Sequence, residues 1–194
     1  MTETDASRTV PAVPPVPSRR PPTRRTVRWL VVAAIVTLSA VTGAFAWRAV
    51  GGDPSAPRFE VRDQFSGEVY YSRAIELAES FDLQHTHSVT RRPVIETFSA
   101  ADADTIAIEE MWFDQNGPNL PTGPEPLGDG ETTFIYEDDG SYRVIHHSYP
   151  LGTVPLLVGS ESVDHTLTFS DGDKVRLLDI ADRGAAVEFR VRPG

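Results

Sequence analysis

The rhythm of hydrophobic and polar positions changes along the chain, and each change predicts a different element. From Trp29 to Trp47 the run WLVVAAIVTLSAVTGAFAW contains no charged residue. A helix rises about 1.5 Å per residue, so this length comes close to the ~30 Å hydrocarbon core of a bilayer. The run predicts a transmembrane helix over 29–48, with Trp29 and Trp47 at the two headgroup interfaces. Residues 67–82 (GEVYYSRAIELAESFD) then show helical spacing. Tyr70, Ala74, Leu77, Ala78 and Phe81 fall on one face, and Arg73, Glu76 and Glu79 on the other. They predict an amphipathic helix that Ser66 caps.

After this segment the period drops to two. Ile106, Ile108 and Trp112 alternate with Ala107, Glu109 and Met111. Phe134 and Tyr136 lead into Glu137-Asp138-Asp139-Gly140, and Tyr142 and Val144 lead out. Leu167 and Phe169 reach Asp171-Gly172-Asp173 and return through Val175 and Leu177. Val187, Phe189 and Val191 follow the turn at Asp182-Arg183-Gly184. Alternation broken by glycine-bearing turns predicts antiparallel strands with one buried face. Two stretches break the pattern. Gln115–Gly130 is long and irregular, which marks a functional or mobile loop. Tyr149–Gly159 is apolar with two prolines, and reads either as a core strand or as a hydrophobic contact surface.

The expected fold class is therefore one N-terminal transmembrane helix plus an exported α+β domain dominated by antiparallel strands. In that domain a helix precedes a β-meander, closed as a half-barrel or a sandwich. The order of helix then strands, with Trp112-Phe113-Asp114 ending a strand, is similar to that of lipoprotein-carrier-like half-barrels, whose sheet wraps a helix and holds an apolar ligand. The resemblance implies no site residues. The expected organisation is a cytoplasmic Arg/Pro-rich tail (1–28), the anchor (29–48), a Gly/Pro/Ser linker (49–57) and an acidic β-rich domain (58–194).

Charge sets the orientation. Arg24, Arg25 and Arg28 crowd the N-terminal flank of the apolar run, with Arg19 and Arg20 just before them. Cationic flanks stay in the cytoplasm, so the N-terminus is expected inside and the domain outside. Ala44-Phe45-Ala46 has the small-x-small form of a signal-peptidase site, and cleavage after Ala46 would instead release a secreted protein. Residues 51–194 hold eleven basic and twenty-six acidic side chains, a net of −15. Such a body repels phosphates, which excludes nucleic acid as a partner. The chain has no cysteine, which removes disulfides and thiol chemistry. Pro11-Ala12-Val13-Pro14 has the PxxP spacing of a polyproline ligand within a tail too rich in proline to build a core.

Catalytic motifs are missing: no GxSxG, no GxGxxG and no phosphate loop occurs. His85-Thr86-His87, if extended, places two imidazoles on one face, and His165 would complete a metal set of His85, His87 and His165. His146 and His147 would point to opposite faces of their strand. The acidic pairs Asp102/Asp104, Glu109/Glu110, Asp138/Asp139 and Asp171/Asp173 suit acid–base or calcium chemistry on paper, but the latter two sit at turns that favour Asp for backbone reasons. Three functions follow. One is a membrane-anchored extracytoplasmic binding or accessory module, with the lipid bilayer as one partner and an envelope protein or apolar ligand at 115–130 and 149–159. Another is a metal-dependent hydrolase built on His85 and His87. The third makes the tail the active end, recruiting a cytoplasmic protein while the exported domain senses. No cofactor is named by any motif.

Overall fold

The computed structural model describes residues 55–194. They form an antiparallel β-sheet-rich domain with almost no helix. In chain order the strands are β1 (Arg58–Asp63), β2 (Val69–Ala74), β3 (Ser80–Thr86), β4 (Pro93–Asp102), β5 (Thr105–Phe113), β6 (Pro126–Leu127) and β7 (Gly130–Glu131). They continue with β8 (Thr133–Tyr136), β9 (Tyr142–Gly152), β10 (Val154–Leu157), β11 (Thr166–Phe169), β12 (Lys174–Arg176) and β13 (Ala186–Arg192). A single 3₁₀ turn, Leu177–Asp179, joins the last two. The predicted tail and the anchor residues Trp29, Trp47, Arg24, Arg25 and Arg28 lie outside the described residues. Among those described, no helix is long and apolar enough to cross a membrane.

Two sheets carry the domain. A four-stranded sheet has the order β10-β13-β1-β2, and a seven-stranded sheet the order β12-β11-β3-β4-β5-β9-β8. Their inner faces meet in one core. Phe59 and Phe189 of the smaller sheet interleave with Phe81 and Phe169 of the larger, Phe59 lying 4.9 Å from Phe81, 5.3 Å from Phe169 and 5.8 Å from Phe189. Phe98 stacks behind Phe81 at 5.6 Å. Edge-to-face rings at these distances add specific attraction to the burial of large apolar area. A second, smaller cluster holds Val94, Phe113 and Val144, with Met111, Phe134 and Tyr142 from the same sheet and Leu120 from the loop above them. One face of the larger sheet is thus shared between two covers, the smaller sheet and the segment around Leu120.

The helix expected over 67–82 does not form. Those residues make β2, a tight turn and the start of β3. Tyr70 and Tyr71 favour an extended chain, and β2 pairs with β1 along its length while β3 pairs with both β4 and β11. A short isolated helix is marginal in water, so the ladders of β2 with β1 and of β3 with β4 and β11 outweigh the helical spacing. Leu77, placed on the helix's apolar face by that reading, is 56% exposed. The Ser66 cap goes with the helix: Asp63 Oδ1 instead accepts the backbone N–H of Phe65 at 2.9 Å and of Ser66 at 2.6 Å in the β1–β2 turn. With no leading helix, the likeness to helix-wrapping half-barrels in element order also falls.

The hairpins stand where alternation and turn glycines put them. β8 and β9 pair from Tyr136↔Tyr142 to Thr133↔Ile145, and β11 and β12 from Thr168↔Lys174 to Thr166↔Arg176. Gly140 (φ 88°) and Gly172 (φ 90°) take the left-handed backbone that these turns require. The apolar stretch 149–159 divides between the end of β9 and the edge strand β10: Val158 is buried, Val154 and Leu156 pack on the core, and Leu151 and Leu157 are exposed. Gln115–Gly130 stays irregular apart from the two-residue ladder of β6 with β7.

Candidate functional site

The register of the larger sheet sets polar side chains among apolar ones. On β3, Phe81, Leu83 and His85 alternate inward; on β4, Val94, Glu96 and Phe98 do the same. Leu83 opposes Glu96, and His85 opposes Val94. On its other side Glu96 opposes Met111 of β5, which in turn opposes Val144 of β9. His146 follows Val144 by two residues and points to the same face.

Glu96, His85 and His146 therefore lie on the line between the two hydrophobic clusters. Leu83 and Phe98 belong to the first, Val94, Met111 and Val144 to the second. The Glu96 carboxyl has no hydrogen-bond or ion-pair partner among the described residues, and burial pushes its pKa up. His85 Nδ1 and His146 Nδ1 are buried without a hydrogen-bond partner. Burial, with the rings of His165 and His87 nearby, lowers the His85 pKa from 6.5 to about 4. Burial also lowers that of His146, against the opposing pull of a backbone bond at Val144 and of Glu125. This seam is polar in composition, and burial disfavours the charged form of each of its three groups.

Two other histidines act as loop clamps. His87 Nδ1 accepts the N–H groups of Val89 and Thr90, both at 3.2 Å. Its Nε2 must then carry the proton and donate to Pro118 O at 2.9 Å. The clamp is close: a Cβ at Gly117 would lie 2.7 Å from Thr90 Cγ2 and 3.2 Å from His87 Cε1. His165 Nδ1 accepts the N–H of Gly159 at 3.1 Å, and burial lowers its pKa. One clamp holds the 115–120 loop that lays Leu120 on the second cluster; the other holds the loop leading out of β10.

For the predicted metal set, the structure brings two members together. The rings of His85 and His165 lie 5.3 Å apart because β11 pairs with β3. His87 does not join them as a ligand, since both its nitrogens are engaged by backbone groups. Among the described residues no three His, Asp or Glu side chains form a group that could hold a metal ion. The acidic pairs serve locally. Asp139 accepts the N–H and hydroxyl of Ser141, and Asp171 grips Arg73 through both oxygens. Glu109 joins Ser99 and Ser148 across the outer face. Glu96 escaped the sequence reading, although Val94-Ile95-Glu96-Thr97-Phe98 places a carboxyl between two apolar positions of one face.

The smaller sheet has its own polar device. Glu60 is 3% exposed, and Arg190 and Arg192 bind its two oxygens. Burial raises the Glu60 pKa, but bonds to Arg192 and Arg190 outweigh it and hold the group below the ordinary carboxylate range.

Residues 81–177, half of the chain, match the family described as Domain of unknown function (DUF1850). The match begins in β3 and ends after β12, so it contains every strand of the larger sheet and every residue of the seam. No curated protein and no solved structure matches the chain.

Proposed function

The chain belongs to this family, whose description assigns no activity, and we propose that it is a membrane-tethered extracytoplasmic binding protein whose β domain receives a ligand at the Glu96–His85–His146 seam. In this reading the apolar run 29–47 is a retained anchor, the arginine-rich tail stays in the cytoplasm, and two facing sheets form the exported sandwich. The segment from Asp114 to Thr132 is the cover of the site. One observation carries the binding reading: on one face inside the domain the Glu96 carboxyl has no partner among the described residues, and the Nδ1 atoms of His85 and His146 are buried without a hydrogen bond. A buried polar group left unpaired costs about 1–3 kcal/mol, and native proteins keep few of them. A fold that holds three in a row at the junction of two clusters has partners that arrive from outside the chain. Binding is favoured over metal-dependent hydrolysis because His87, needed for the metal set, is committed to its loop through both ring nitrogens.

The test is recovery of the ligand. The full chain, extracted gently from membranes and then denatured, should release a small molecule visible by mass spectrometry. A variant carrying Glu96→Leu and His146→Leu should release none while keeping its far-ultraviolet circular dichroism. Equal recovery from both proteins would sink the seam as the site. Protease added to intact cells should cleave within 55–194 and spare the tail; protection of the domain would sink the topology.

A further inference from the structure

We propose that the outer face of the smaller sheet docks on anionic lipid head groups of the membrane that carries the domain. The proposal rests on the anchor reading of residues 29–47 and adds how the domain meets the lipid. Strands β1 and β13 pair along their length, and Phe59 opposite Val191 and Val61 opposite Phe189 turn into the core. The alternate positions face away from it. There Arg58 opposes Arg192, Glu60 opposes Arg190 and Arg62 opposes Glu188. The outward residues of the flanking strands, Ser72 and Ala74 of β2 and Pro155 and Leu157 of β10, are uncharged. Four arginines thus share one face with two carboxylates, a net of +2. Elsewhere in residues 51–194 seven basic side chains stand among twenty-four acidic ones, a net of −17.

Both carboxylates of the face are already engaged. Glu60 is buried and stays ionised, with Arg190 at 2.7 Å on one oxygen and Arg192 on the other, and Glu188 pairs with Arg62. The side chains of Arg62, Arg190 and Arg192 still reach solvent, Arg192 with 44% of its surface. Arg58 has no carboxylate partner among the described residues; its Nε donates to Ser72 Oγ at 3.0 Å. Like charges directly opposite one another destabilise a ladder. Arg58 and Arg192 nevertheless sit that way, at the first pair of β1 and therefore at the end of the sheet nearest in sequence to the apolar run. Phosphate laid over that end relieves the repulsion, and a guanidinium holds phosphate through paired N–H groups.

Tether and charge select lipid over a partner in solution. Arg58 is eleven residues past Trp47, and a chain of that length spans at most about 40 Å however it runs. The basic end of the face is thus held near the head groups, at a high effective concentration. The rest of the domain, at −17, is repelled by an anionic leaflet, which leaves this face as the one that can approach it. Each arginine close to such a surface strengthens docking about fivefold.

The experiment places the full chain in vesicles of phosphatidylcholine, alone or mixed with phosphatidylglycerol, with a nitroxide quencher on some head groups. The chain has no cysteine, so Gly194→Cys or Gln84→Cys carries a single fluorophore. Gly194 is exposed two residues past Arg192, and Gln84 is exposed on the outer face of the larger sheet, the far side of the sandwich. At low salt the label at 194 should be quenched strongly in the mixed vesicles and weakly in phosphatidylcholine, and the label at 84 weakly in both. Salt at about 0.5 M should abolish the difference. Arg58→Gln should lower the docked-to-free ratio about fivefold and Arg58→Lys should restore it, both with the melting transition unchanged. Quenching at 194 that is alike in both lipids, quenching at 84 as strong as at 194, or docking indifferent to salt would overturn the proposal. Energy transfer between differently labelled copies without quenching by lipid would give the face to a second copy and overturn it as well. Alkaline carbonate that strips the chain from both kinds of vesicle would sink the anchor; an anchored chain with no lipid-dependent quenching would sink the docking alone.

Discussion

Lowering the pH should weaken the fold through His85 in particular. In the unfolded chain this ring titrates near 6.5, and in the folded domain at about 4, because burial and the neighbouring His165 and His87 rings oppose its charge. The folded pKa is the lower one, so between pH 6.5 and 4 the unfolded chain binds a proton that the folded domain refuses. Stability is unaffected above 6.5 and falls as the pH drops through this window. At ~1.4 kcal/mol per pH unit the full shift corresponds to a ceiling of about 3 kcal/mol. The ring is partly solvated, which brings the expectation to about 2 kcal/mol. His146 and His165 shift in the same direction and steepen the slope, while Glu96 works the opposite way at higher pH. The difference between wild type and His85→Leu isolates the one ring. Urea denaturation of both full chains at pH 7, 6, 5 and 4.5 should show the wild type losing about 2 kcal/mol more than the variant. Equal slopes, or a His85 proton resonance titrating near 6.5, would refute the argument.

Three further outcomes follow from other residues. Glu96→Gln should stabilise the domain by about 1–3 kcal/mol at pH 7, because burial raises the carboxyl's pKa and the folded state resists ionisation above 4.5; the gain should vanish below pH 4.5, and a variant less stable than wild type at pH 7 would contradict the missing partner. Replacing Arg190 and Arg192 together with Ala leaves the buried Glu60 unpaired and should cost about 3 kcal/mol, whereas Glu60→Leu should cost about 1 kcal/mol or less; the reverse order in denaturant melts would mean the network is not what holds Glu60. Gly117→Ala pushes a methyl against Thr90 and His87 and should cost about 1–3 kcal/mol, with faster hydrogen exchange at Leu120; unchanged exchange there would mean the clamp does not hold the loop.

Local signals read well and long-range ones did not. Phe134 to Val144 and Leu167 to Val175 announced their hairpins because alternation and the turn glycine are both written within a dozen residues. The segment 67–82 misled because its apolar spacing fits a helix, while β11, the strand that pairs along the second side of β3, comes from a distant part of the sequence. The same distance hid the site. His85 and His165 meet only because β11 pairs with β3, and no spacing between residues eighty apart predicts that. Glu96 left a local trace, a carboxyl at an inward position between Val94 and Phe98, but its isolation depends on what the neighbouring strands decline to offer. His87 misled for the opposite reason. HxH spacing says nothing of a backbone turn that consumes both ring nitrogens.

In the smaller sheet β1 lies between β2, its successor, and β13, the last strand, with Phe59 opposite Val191. This pairing has a consequence for the order of events at the ribosome. β1 keeps one edge open until β13 has been synthesised, and the core around Phe59 waits for Phe189. Pairing across so long a loop is slow. A nascent chain stalled before Ala186 would carry an exposed strand edge and an unburied ring of phenylalanines, which is a substrate for a chaperone or a seed for aggregation.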